Sequence, residues 1–260
     1  AILAATSGIV TATVAAGKAG DLVAALENAK ANDALKLTVT AGAANAADLL
    51  ALDGKTNIAV NANEVESITG TVADLKKVFA ANTANTLELA DKVAVSVSGT
   101  VKASDLKAVL TEAGGIVSAT VAAGKAADLA TNLADTTENA LKVTLTDTKV
   151  GATDLLSLDG ATSIAVNAAS VKTITGDAEK VLDAYEAGAD KGISGLGNEA
   201  VDLTGATDAN AELVSAINDF TTGLIKLPTV TFDDVATTFS LSDLGDLKGI
   251  TGLKEINAKN

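Results

Sequence analysis

Residues Gly8–Leu22 read GIVTATVAAGKAGDL, and the chain returns to them almost letter for letter at Gly115–Leu129 as GIVSATVAAGKAADL. Two near-identical stretches in one polypeptide ask for the same local structure twice, which points to a stacked array rather than one irregular globule. The recurrence lies about 107 residues downstream and extends beyond the opening stretch. LDGKTNIAVNANEVESITG at Leu52–Gly70 comes back as LDGATSIAVNAASVKTITG at Leu158–Gly176, and TVADLKKVF from Thr71 answers to GDAEKVLDAY from Gly176. A looser third copy begins near Ser215. The first residues, AILAATSGIV, align with AVLTEAGGIV at Ala108, so the chain is expected to start inside a repeat, as a fragment or processed product of a longer array.

A shorter beat runs inside the long one. The pair Asp-Leu recurs at Asp21-Leu22, Asp48-Leu49, Asp74-Leu75, Asp105-Leu106, Asp128-Leu129 and Asp154-Leu155, and Lys180-Val181 and Glu212-Leu213 continue it in degraded form. Four beats of about 26 residues fill one long repeat, within the range of solenoid units that bury their apolar faces only against neighbours. Each beat joins a strand pattern to a helix pattern. Leu35–Thr40 (LKLTVT), NIAVNA from Asn57 and VAVSVS from Val93 alternate as half-buried strands do. SITG at Ser67–Gly70 fits a second short strand. In Ile9–Val14, Val10, Ala12 and Val14 share one predicted face, with Thr11 and Thr13 on the other. Leu22 and Leu26 stand at helical spacing, Thr71 with Asp74 forms a predicted cap, and Asp53-Gly54 marks a turn. The helices are two to three turns long and need a sheet beneath them.

Strands that recur once per turn and are joined by helices pair in parallel, with right-handed crossovers. The predicted fold is therefore α/β: a right-handed α/β solenoid with parallel strands and short helices, like a leucine-rich-repeat rod or a β-helix with one helical side. One continuous domain is expected over 1–260, divided as 1–107, 108–214 and a partial third repeat with an end cap at 215–260. In that last stretch LIKLPTVTF reads as a strand, DDVATTF as a short helix or turn, and the Gly-rich tail as a closing rung.

Composition agrees and excludes several functions. Apolar residues make up 48% of the chain but aromatics only 2%, which suits a thin core of Ala, Val, Leu and Ile. A net charge of -14 argues against nucleic acid, whose phosphates need a basic face. There is no Cys, no apolar run near the ~20 residues of a membrane span and no signal peptide.

LDGKTNIAVNA, ITGTVADLKKVFAA, LDGATSIAVNA, ITGDAEKVLDAY and ISGLGNEAVDLTG resemble repeats of very large secreted bacterial surface proteins, notably those of marine cyanobacteria. The resemblance covers most of residues 34–205. It implies a structural, cell-surface or adhesin-like role outside the cell, often with type I secretion, and it carries no catalytic residues. The calcium-binding nonapeptide GGxGxDxUx common in such proteins has no counterpart here.

The residues themselves give catalysis little to work with. Without His or Cys, the usual general base, thiolate and imidazole ligands are missing, and one Tyr and four Phe are too few for the platforms of a sugar-cleaving cleft. Lys18 and Lys125 in AAGKA lack a phosphate-loop frame and read as turn lysines. No cofactor is expected. Calcium stays open only through Asp53 and Asp159 in Asp-Gly turns and the pair Asp233-Asp234. The most suggestive pattern is the row of outward hydroxyls Thr11, Thr13, Thr38, Thr40, Ser96, Ser98, Ser118, Thr120, Thr144 and Thr146, interrupted at Asn57/Ala59/Asn61 and Ser163/Ala165/Asn167. On a flat parallel sheet such a ladder would suit ice or glycan, although Thr is also simply a good strand former. The reading is a non-enzymatic structural repeat segment of a secreted cell-surface or surface-layer protein. Its partners are further repeats of the same parent chain or copies of itself. A binding module built on the hydroxyl ladder is the alternative.

Overall fold

The structure, a computed structural model, describes residues 2–133, 139–207, 209, 211–227 and 250–251. They form an α/β fold of parallel sheets and short helices: the ten strand pairs in defined register and the four isolated bridges are all parallel. The chain divides into two compact units, one made of residues up to Val121 with Asn139–Leu141, the other of the rest from Ala122.

The first unit opens with a single helical turn, α1 (Ile2–Ala5), and then alternates strands with helices: β1 (Thr11–Thr13), α2 (Ala19–Ala25), β2 (Ala34–Lys36), β3 (Gly42–Asn45), α3 (Ala46–Asp53), β4 (Val60–Ala62), β5 (Val65–Gly70), α4 (Val72–Thr83), β6 (Leu87–Leu89), β7 (Ala94–Val101), α5 (Ala103–Glu112), β8 (Val117–Val121) and β9 (Ala140–Lys142). β1 pairs with β2, β4 with β6, and a five-stranded sheet runs β3-β5-β7-β8-β9. Sheet neighbours are therefore one helix apart in the chain, and the successive helices α2 to α5 pack side by side. SITG is part of a full strand, β5, as its alternation suggests.

The second unit repeats the plan: α6 (Ala126–Leu133), β10 (Lys149–Gly151), α7 (Ala152–Gly160), β11 (Val166–Asn167), β12 (Thr173–Thr175), α8 (Ala178–Ala189), β13 (Ile193–Ser194), β14 (Ala200–Asp202), α9 (Ala211–Phe220), β15 (Ile225–Lys226) and β16 (Ile250–Thr251). Its main sheet runs β10-β12-β14-β15-β16. Of the terminal expectations, β15 matches the start of LIKLPTVTF. From Pro228 on, that strand, DDVATTF with Asp233-Asp234, and most of the closing tail lie outside the described residues.

The Asp-Leu beat is the first turn of a helix. Asp21, Asp48, Asp74, Asp105, Asp128 and Asp154 each stand there, where a negative charge meets the positive end of the helix dipole. The following Leu is buried in every case, and in five of the six helices α2 to α7 the residue three places before it is a buried Ala: Ala19, Ala46, Ala103, Ala126 and Ala152. Ala178 stands likewise before buried Val181 in α8. With no side chain beyond Cβ, Ala lets the helix start lie close on the sheet, and the Leu one turn later fills the core. Thr71 caps α4 as predicted, its Oγ1 accepting from the Asp74 backbone N–H at 3.2 Å and donating to Asp74 Oδ2 at 2.8 Å.

Two expectations need correcting. In α9 Val214 and Ile217 are buried and Leu213 only half-buried, because the spacing to the first repeat has grown from 106 to 108 and Val214 stands where Leu106 does. In β1 the predicted inner face is open: Ala12 is exposed and Val10 and Val14 only half-buried. Its equivalents Val117, Ala119 and Val121 are buried, because β8 lies between β7 and β9 whereas β1 has β2 on one side only.

Candidate functional site

Eight of the ten hydroxyl positions are exposed, and Thr38 and Thr144 are half-buried. The sheets do not bring them into one row. Thr11 stands opposite Ala34 and Thr13 opposite Lys36, while Thr38 bridges to Asn61 and Thr144 to Asn167. Of the ten, only Ser96 and Ser118 are paired with each other, on β7 and β8, where Thr120 also stands against Thr100. Ser98 falls in the irregularity between Ser96 and Thr100, and Thr40 and Thr146 lie outside the strands. Thr69 of β5 continues the row beside Ser96. Thr69, Ser96, Ser98, Thr100, Ser118 and Thr120 thus form an exposed hydroxyl patch on three adjacent strands of the first unit. Sequence reading alone misses Thr69, which falls in the short SITG segment, and Thr100, which lies beyond the irregularity in β7.

The recurring acids are dispersed, one per helix start, and among the described residues no three acidic side chains gather where they could hold a metal ion. Asp53 ends α3. Asp159 lies in α7, where burial raises its carboxyl above the usual carboxylate range. Lys18 and Lys125 are exposed at the entrances of α2 and α6. Asp202 is held down to about 2 by the Thr204 hydroxyl, which donates at 2.6 Å, and by Lys149 at 3.0 Å.

A functional feature should break the repeat, and one buried cluster does. The first unit carries an apolar set, Phe79 in α4, Val93 before β7 and Ala113 after α5. At the equivalent positions the second unit carries Tyr185, Glu199 and Thr221. All three are buried: Tyr185 is 2% exposed, Glu199 0% and Thr221 6%. Glu199 Oε2 accepts from the backbone N–H of Gly197 at 2.7 Å and of Asn198 at 3.2 Å, and Thr221 Oγ1 donates to the Glu199 carbonyl at 2.7 Å. The Tyr185 hydroxyl faces Thr221 and Glu199, yet neither it nor Glu199 Oε1 closes a hydrogen bond of good geometry. Burial, reinforced by the nearby Glu199 charge, pushes the phenol up to about 12. The Tyr185 ring stacks on Phe220, with centroids 6.0 Å apart and 6° between planes.

Beside this trio lies a cavity of about 350 Å³, with Tyr185, Phe220, Ile193, Leu196 and Lys191 among its walls. It is small, largely apolar and rimmed by Gly195 and Gly197, both in the left-handed backbone region. A neutral phenol at neutral pH and one buried carboxylate supply neither a nucleophile–base pair nor a paired acid and base at carboxylate spacing. No helix among the described residues is long and apolar enough to cross a membrane. Compared with known proteins, the chain matches no family model, no curated protein and no solved structure.

Proposed function

We propose that this chain is a right-handed α/β solenoid of about 26 residues per turn, and that it serves as a non-enzymatic structural segment of a secreted cell-surface or surface-layer protein. The observation that carries the reading is that equivalence between the long repeats reaches single backbone bridges. Gly17↔Val39 returns as Gly124↔Leu145, and Thr38↔Asn61 as Thr144↔Asn167. The buried polar set Tyr185, Glu199 and Thr221 does not recur with it. What the repeats keep is what stacking needs: the helix-start acid, the buried Ala and Leu, and the parallel register. Reach, stiffness and an acidic exterior are then the output, and further repeats of the parent chain, or copies of the chain itself, are the partners. Placement at the cell surface rests on the resemblance to large secreted bacterial proteins.

Two measurements test the reading. Removing residues 8–114 joins Ser7 to Gly115 at equivalent points; a solenoid, whose turns contact only their neighbours, stays folded and melts cooperatively, while a globular fold collapses. An antibody raised to the chain labels intact, unpermeabilised cells of the source organism; label found only after lysis refutes the surface assignment.

The hydroxyl patch on β5, β7 and β8 supports a second reading, a binding module for glycan or ice. Thermal hysteresis or glycan-array binding that disappears in Ser96→Lys with Thr120→Lys favours it over the spacer.

A further inference from the structure

The open side of β1 has a template inside the molecule. In the first unit, β8 receives the preceding turn through three features. The backbone N–H of Val95 donates to the Ile116 carbonyl at 2.9 Å. Gly115 lies so near the preceding turn that a Cβ on it would strike the Val93 carbonyl oxygen. Val117, Ala119 and Val121 are thereby buried. The second unit repeats the arrangement at β15: Val201 N–H donates to the Leu224 carbonyl at 2.8 Å, a Cβ on Gly223 would overlap the Glu199 carbonyl oxygen, and Ile225 is 0% exposed.

Turn one carries the same three features with nothing against them. Among the described residues no N–H donates to the Ile9 carbonyl, the equivalent of Ile116 and Leu224. Gly8 stands where Gly115 and Gly223 do, yet a Cβ on it would meet only Thr6 Oγ1, at 3.5 Å. Ala12 is exposed. The glycine is thus kept where its own surroundings do not ask for one. The single helical turn α1 also occupies the positions equivalent to Val109–Glu112, the last turn of α5.

We infer that the open edge of β1, with Gly8 and the Ile9 carbonyl, is a seat for one further turn of this repeat, of the Leu87–Ala113 kind, carried in the same polypeptide. The inference rests on the stacked-turn reading and names the partner of one face. An unpaired parallel strand edge accepts another strand through its backbone groups. Here Gly8 sets which backbone approaches, and α1 sets where the incoming helix joins.

The experiment fuses Leu87–Lys107 directly before Ala1 of the full chain, so that the added helix runs on into α1 in register. Gly8→Ala is then made in both the fused and the parent chain, and hydrogen exchange and melting are followed. The expected result is protection of the added copy of the Val95 amide by about tenfold or more. Gly8→Ala should lower the melting temperature of the fused chain by about 4 °C or more, and that of the parent by less than about 1 °C. Equal effects of Gly8→Ala in the two chains, or an unprotected added turn, overturn the proposal. Concentration-dependent protection around Ile9 in the parent chain overturns it too, because a second copy is then the occupant. The deletion of residues 8–114 does not depend on what covers β1, so a failure here is separable from a failure of the stacked-turn reading.

Discussion

Transplanting the first unit's apolar set into the second tests the account of the buried trio. The perturbation is Tyr185→Phe with Glu199→Val, leaving Thr221, whose hydroxyl also accepts from the Gly223 N–H at 3.0 Å. Both new side chains already fit the equivalent places, since Phe79 and Val93 are buried there at 6% and 3% exposure. The double change removes two buried oxygens without a hydrogen bond, the Tyr185 hydroxyl and Glu199 Oε1, each costing about 1–3 kcal/mol. It also removes two backbone bonds to Glu199 Oε2, from Gly197 and Asn198. Those are worth about 0.5–1.5 kcal/mol net apiece, and both donors are only part-buried, so water can replace the carboxylate. The balance is a gain of about 1–2 kcal/mol, in line with the gain seen when buried charged groups give way to well-packed apolar ones. The single changes should fare worse than their sum predicts, because Glu199→Val leaves the phenol against an apolar wall and Tyr185→Phe leaves the carboxylate against a ring. Denaturant unfolding of all four proteins measures this coupling. A double variant less stable than the parent by more than about 1 kcal/mol would refute the reasoning, since the trio would then be a satisfied network.

Tyr185 also gives the fold a pH limit. Its proton is held more tightly folded, at about 12, than unfolded, near 10. The resulting stability is fully present below pH 10 and is lost as pH rises through 12, by about 2–3 kcal/mol in all. Tyr185 is the sole tyrosine, so tyrosinate absorbance follows it directly, and Tyr185→Phe should lose less stability over the same interval. Thr71→Ala removes a bonded helix cap and should cost about 1 kcal/mol in urea unfolding. Asp177→Ala, at the equivalent entrance of α8 where no side-chain cap bond forms, should cost clearly less. Millimolar calcium should leave the melting temperature unchanged, whereas a site filled to about a hundred times its dissociation constant would add about 2.7 kcal/mol.

The periodic elements were legible because each rests on residues close in sequence. An Asp at a helix start followed at once by a buried Leu is a local signal, and so is Thr71 with Asp74. The alternation of LKLTVT announced which of its residues face the core, since Leu35, Leu37 and Val39 are all nearly fully buried. Register was not legible. The break between Ser96 and Thr100 sets Thr120 opposite Thr100 and leaves Ser98 unmatched, and nothing within VAVSVS announces it. Ala12 looked like a core residue because its pattern matches Ala119; burial depends on what stacks above, which pattern does not encode. The buried trio could have been found by aligning the two repeats and asking where Phe79 and Val93 turn polar. The growth of the spacing from 106 to 108 hides Thr221 from that comparison unless the shift is allowed.

The near-identity of Gly8–Leu22 and Gly115–Leu129 also has a genetic consequence. Where the encoding DNA shares that similarity, unequal crossing-over between the two stretches adds or drops one whole block without losing the reading frame. The two ends of the block fall at equivalent strands, β1 and β8, so each recombinant keeps the same sequence across the join. Lineages can therefore lengthen or shorten such a molecule in a single event, with no intermediate that has to fold around a mismatched join.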